Sequence, residues 1–288
     1  MTKNYLSVSI LLVCFQPAWA MYGPDLTRAD ASVALRACQE ADFDQGREIT
    51  KAMRSGKPTE ILRVMGDALK EWKTTPSSST LYPARAFCIH ELVPSWLPPG
   101  GGPDASPSTW RQPTSFVMKF EELGIEYFYY SPDGAWNLRK DPVDLHQLAT
   151  EYLSSRWGRE AFLMMTRLGW SHGACQEGPD QFRQVIKHGE AFLTQYHDSE
   201  VSDKIRLEMA NAYATWWNVA NMEPDAYTNP ESYKAGSLKA KQRAVELYKD
   251  YLRAHKEANK EVPKRLKALE ENPKGSETYD YLCEDYED

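Results

Sequence analysis

Beyond its first twenty residues, the chain has no apolar run approaching the roughly eighteen residues of a membrane helix. It also lacks any dense cluster of lysine and arginine. With a formal net charge of −7, it offers no stretch suited to a phosphate backbone. No G-x-S-x-G elbow, Walker loop or phosphate-cradling glycine loop occurs; Gly100–Gly102 lies near prolines and opens no helix. Cysteine is scarce, at five residues in 288. These absences argue against a nucleic-acid partner, a transmembrane segment in the mature chain and the commoner nucleotide and hydrolase chemistries.

Metal ligation finds no support either. His90-Glu91 lacks the second histidine of a zincin helix, because Pro94 stands in its place. His172-Gly-Ala-Cys175 has the step of half a zinc site, with no second pair nearby. His188 and Glu190 point apart on a helix. The expectation is therefore no catalytic, cofactor-binding or metal-binding residue, no cofactor, and a protein that is not an enzyme.

What is present begins with residues 1–20. Lys3, the apolar run YLSVSILLVCF and small residues at Ala18 and Ala20 follow the plan of a secretory signal peptide. Val13 before Cys14 spoils a lipobox. The expected localisation is periplasmic or secreted. Four cysteines then remain, Cys38, Cys88, Cys175 and Cys283, and an even number in an exported chain favours disulfides. Three connectivities are open; sequence proximity favours Cys38–Cys88 with Cys175–Cys283.

Proline and glycine crowd residues 94–113, which forbids helix and interior strand. This loop separates an N-terminal helical region, 21–93, from a larger helical domain, 114–270, followed by an acidic tail, 271–288. In the first region Asp30 and Thr59 stand as helix caps, and Ile61, Leu62, Met65, Ala68, Leu69 and Trp72 form one helical stripe. A single β-hairpin is expected near 125–138, around the turn Ser131-Pro132-Asp133-Gly134. The fold class is otherwise all-α.

An internal repeat organises the second half. Residues 148–165 align with 192–209 at an offset of 44, with identities at Thr150/Thr194, Tyr152/Tyr196, Ser155/Ser199, Leu163/Leu207 and Met165/Met209. A third copy of the first helix appears at 244–255, where Tyr251 matches Phe192 and His255 matches Tyr196. A unit recurring at variable spacing suggests a helical repeat array. An apolar helix ending Leu-x-x-Tyr, then His-Asp-Ser, then a helix with Ala-x-Ala-Tyr resembles a tetratricopeptide-type helix pair of the kind found in envelope proteins. The resemblance covers roughly 142–256. It departs from the family pattern where His197 and Leu153 replace the turn proline and where the period is not kept. It implies a helix-turn-helix scaffold for protein–protein contact, usually without catalysis.

Within that array, Ile205, Met209, Ala212, Tyr213, Trp216 and Ala220 share one face of a helix, while Leu207, Ala210, Ala214 and Trp217 share a second. Lys204, Glu208, Asn211, Thr215 and Asn218 form a narrow polar third face, which should be insensitive to Asn211→Ala or Thr215→Ala. Both tryptophans continue apolar stripes and are expected to pack between helices; Tyr213, Trp216 and Trp217 are the candidates for a groove. The functional expectation is an exported scaffold for protein–protein interaction or assembly in the cell envelope. A cell-wall hydrolase with paired carboxylates near the aromatic 127–136 hairpin is the alternative, and a structural subunit of a larger complex is another.

Overall fold

The structure is a computed structural model and describes residues 31–55, 58–93, 115–130, 135–167, 181–221, 229–255 and 261–271. The leader, the loop 94–113, the turn 131–134, Cys175, Cys283 and the tail 272–288 lie outside the described residues. The chain divides into two compact units, 1–142 and 143–288. Residues 114–142 therefore belong with the first unit and not, as their position after the loop suggested, with the C-terminal helices.

In the first unit, α1 (Ala31–Glu40), α2 (Gly46–Ser55), α3 (Pro58–Thr74) and α4 (Tyr82–Leu92) pack in sequence, with α1 and α3 both against α4. Helix α3 begins on Pro58, ahead of Thr59, because a first-turn proline gives up an N–H that has no intrahelical acceptor anyway. Helix α4 is apolar nearly all round, and Ala84, Phe87, Cys88, Ile89 and Leu92 are all buried. It is the centre of this unit. A disulfide joins Cys38 of α1 to Cys88 of α4. Helix α5 (Ser115–Glu122) ends in two crossed bonds, Ile125 N–H to Phe120 and Gly124 N–H to Glu121, that need Gly124 at φ 82°. Strands β1 (Glu126–Tyr130) and β2 (Ala135–Lys140) follow and pair antiparallel, with Tyr130 opposite Ala135 and Tyr127 opposite Leu138.

The second unit is helical throughout its described residues: α6 (Leu145–Glu151), α7 (Arg156–Arg167), α8 (Gln181–Gln195), α9 (Ser202–Asn221), α10 (Glu231–Lys234), α11 (Ser237–Ala254) and α12 (Glu261–Glu271). Asp144 caps α6 by accepting the Gln147 N–H at 3.1 Å. Consecutive helices pair, α6 with α7, α8 with α9 and α11 with α12, while α7, α10 and α11 also reach α9. This packing is compatible with a helical repeat fold.

One turn recurs. In it a serine N–H closes on the carbonyl three residues earlier, Ser155 on Tyr152 at 2.8 Å and Ser199 on Tyr196 at 3.2 Å. The aligned helix ends behave alike too: Tyr196 and His255 each donate their N–H to the ring-bearing residue four positions back, Phe192 and Tyr251, and each ring leans on that residue's ring. The same turn also stands in the first unit, where Ser79 N–H meets the Pro76 carbonyl at 2.8 Å. In all three places an arginine in the opening turn of the next helix reaches back. Arg85 donates to the Thr75 hydroxyl, Arg159 to the Leu153 and Ser154 carbonyls, and Arg206 to the His197 carbonyl. The 44-residue alignment does not extend to this third turn, because Pro76 and Tyr82 occupy the places of Tyr196 and Ser202.

Helix α9 corrects the expectation of a polar, solvent-facing third face. Asn211, Thr215 and Asn218 are buried. With α8 on one side, α11 on another and α7 and α10 also against it, α9 has little perimeter left for water. Its polar residues are consumed in internal bonds instead. The Asn211 side-chain carbonyl accepts from the Tyr248 hydroxyl at 2.7 Å and from Arg265 at 3.0 Å, and its amide donates to Glu208 at 3.2 Å. Arg167 in turn holds Glu208 at 3.2 Å, so α7, α9, α11 and α12 are tied through Asn211 and Glu208. Thr215 returns its hydroxyl to the Asn211 carbonyl at 3.0 Å.

Candidate functional site

The C-terminal half of α9 carries the three aromatics singled out from the sequence, and the structure sends them to different places. Tyr213 points towards α8, where its hydroxyl donates to Glu190 at 2.8 Å. Burial, and then the hydrogen bond to the Glu190 carboxylate, raise the phenol well above its ordinary range. Trp216 packs against the buried cluster of Phe182, Val185, Ile186, Ala212, Val219, Ala220 and Tyr233. Its indole N–H donates to the Tyr233 carbonyl at 2.9 Å, which fixes α10 against α9. The Arg183 guanidinium lies 5.1 Å from the Trp216 ring, 5.0 Å from Tyr233 and 5.9 Å from Phe182. A cation held among three aromatic faces is a packing element with strong directional preference. Trp216 is core.

Trp217 is one residue further, about 100° around the helix, and faces α11. It lines a shallow groove of about 510 Å³ with Leu238, Lys241, Gln242, Val245 and Glu246. The Lys241 ammonium sits 4.8 Å from the indole centroid. The indole N–H is buried with no hydrogen-bond partner among the described residues. Among those residues only two large apolar side chains are exposed, Met118 at 53% and Leu238 at 61%. Leu238 thus stands beside half-buried Trp217 on a face that is apolar apart from its rim. The expectation that both tryptophans pack between helices holds for Trp216; Trp217 forms the wall of a groove.

Glu160 and His90 are both held inside the fold. Glu160 of α7 is buried, and its carboxyl is raised above the usual range by that burial, against the opposing pull of Lys204 and Arg156. His90, which the sequence offered as half a motif, lies buried in α4 with Nδ1 2.8 Å from Asp141. That partner, 51 residues away, has no sequence signal. It holds the segment after β2 against α4. The hairpin side chains from Tyr127 to Lys140 lie outside the described residues, as do His172 and Cys175. Among the described residues no group of three or more potential metal ligands occurs. No helix among them is long and apolar enough to cross a membrane.

Comparison with known protein families, with characterised proteins and with solved structures finds no match. The geometry of the chain itself therefore carries the functional reading.

Proposed function

We propose that this protein is an exported helical-repeat scaffold that binds a protein partner in the cell envelope and performs no catalysis. The observation that carries the reading is the groove of Trp217, Leu238 and Val245, where one of the two exposed large apolar side chains among the described residues stands. Stable protein interfaces place aromatic anchors at their centre and charge at their rim, and here Lys241 and Glu246 border the apolar floor. The recurring helix–turn–helix units and their arginine-braced turns support a rigid array as the platform. The leader-like residues 1–20 and the Cys38–Cys88 disulfide support export, since such bonds persist in oxidising compartments.

A photo-crosslinking residue placed at Leu238 in producing cells tests the binding reading. A discrete protein adduct is expected there and not from exposed Lys267, and Lys241→Glu should abolish it. Equal labelling from both positions would overturn the scaffold. Export is tested by N-terminal sequencing of the product outside the cytoplasm, which should begin at Met21; a chain retaining residues 1–20 in the cytoplasm would sink that part.

A further inference from the structure

We infer that the Trp217 groove is the seat of the chain's own acidic C-terminal segment, Glu277–Asp288, which covers it and competes with the protein partner. The inference rests on the groove being a binding surface, and the experiment below separates the two.

Charge is the first argument. Most of the cations along α10 and α11 are matched: Lys234 with Glu231, Arg243 with Glu246, Lys249 with Glu270 and Arg253 with Asp250. Lys241, which lines the groove 4.8 Å from the indole centroid, and Lys239, next to Leu238 in the sequence, have no ion pair among the described residues. In a chain of formal net charge −7, an apolar groove edged by the uncompensated Lys241, with its one carboxylate, Glu246, already held by Arg243, selects an acidic occupant that is also apolar.

The composition of the last residues meets that requirement. Tyr279, Tyr281, Leu282 and Tyr286 alternate with Glu277, Asp280, Glu284, Asp285, Glu287 and Asp288, and no lysine or arginine follows Lys274. Tyrosine and leucine side chains suit the indole and Leu238, and the carboxylates suit the two lysines.

Reach is the third argument. Helix α12 packs on α11, and the Lys249–Glu270 pair at 2.7 Å puts the end of α12 about one helical turn from Val245. The far end of the groove, Leu238, lies about 16 Å from Lys249 along α11 at 1.5 Å per residue. Residues 272–288 span up to about 56 Å when extended, more than enough to cover it.

The test uses the full chain and a tail variant, Asp280→Lys, Tyr281→Ser, Leu282→Ser, Glu284→Lys, which keeps Cys283. A labelled synthetic peptide of residues 277–288, with Cys283→Ser, is titrated onto each by fluorescence anisotropy. The peptide should bind the tail variant at least about tenfold more tightly than the full chain, whose groove is already covered. Added salt should weaken binding, and Leu238→Glu or the surface pair Lys239→Glu/Lys241→Glu in the tail variant should abolish it, with unchanged melting of the lysine variant as the folding control. Equal affinity for the two chains, or no binding to either, overturns the inference. If the Leu238 crosslink captures the same partner with equal yield from both chains and the peptide binds neither, the scaffold reading stands and the tail inference falls. Peptide binding without any partner adduct gives the reverse result.

Discussion

The Tyr248 hydroxyl donates a 2.7 Å hydrogen bond to the Asn211 side-chain carbonyl, in a buried site between α11 and α9. Because Asn211 also accepts from Arg265 and donates to Glu208, its truncation disturbs three other side chains at once. Asn211→Ala should therefore destabilise by about 2–3 kcal/mol, the range for leaving buried polar groups without their partner. Urea unfolding measures it, and a double-mutant cycle with Tyr248→Phe should show coupling above about 0.5 kcal/mol. A neutral Asn211→Ala would restore the solvent-facing assignment that the periodicity first suggested.

Adjacent Trp216 and Trp217 should respond differently to truncation. Trp216→Ala removes a side chain packed against a buried cluster and a bond to the Tyr233 carbonyl, and should cost about 3–5 kcal/mol. Trp217→Ala removes a groove wall and should cost about 1–2 kcal/mol, because a partly open site leaves a smaller cavity. Thermal melts of the isolated protein read both. Equal losses would mean that Trp217 packs as fully as Trp216 and is no groove wall.

The Cys38–Cys88 bond closes a loop with a sequence separation of 50, for which the chain-entropy estimate is about 4 kcal/mol. Cys38→Ser/Cys88→Ser should lose a large part of that, read as a lowered denaturant midpoint under non-reducing conditions. Alkylation and mass spectrometry of the native protein should find both thiols blocked. Free Cys38 and Cys88 in protein recovered from outside the cytoplasm would contradict the pairing.

Gly158 sits where α7 passes its own turn. A Cβ there would stand 1.9 Å from the Tyr152 carbonyl oxygen, a backbone atom that cannot swing aside. Gly158→Ala should cost more than about 2 kcal/mol, in the manner of an overpacked core. Gly46 is the control, at the start of α2 with nothing within 4 Å of its would-be Cβ. Gly46→Ala should be neutral or stabilise by up to about 1 kcal/mol. The two midpoints compared in urea measure the effect of the close approach at Tyr152.

Much of the helical character was legible because it depends on neighbours three and four residues apart, which the sequence displays directly. The stripe of Ile205, Met209, Ala212 and Trp216, the matched helix ends at Tyr196 and His255, and Cys38 and Cys88 as a pair could all be read from type and spacing. The polar face of α9 could not. Asn211 and Thr215 have the spacing of a solvated edge, and they became interior only because helices far off in the chain supplied Tyr248 and Arg265.

The same physical reason separates the two tryptophans. Helical geometry by itself determined that Trp216 and Trp217 point in directions about 100° apart. Which direction met a full cluster and which an open groove was decided by where α10 and α11 came to rest, with Tyr233 closing one side and Leu238 leaving the other exposed. His90 follows the same rule: its burial on α4 was foreshadowed by the apolar residues around it, but its partner Asp141 arrives from beyond two strands. Local sequence sets which way a side chain faces, and tertiary structure decides what it faces, because that depends on contacts between residues tens of positions apart.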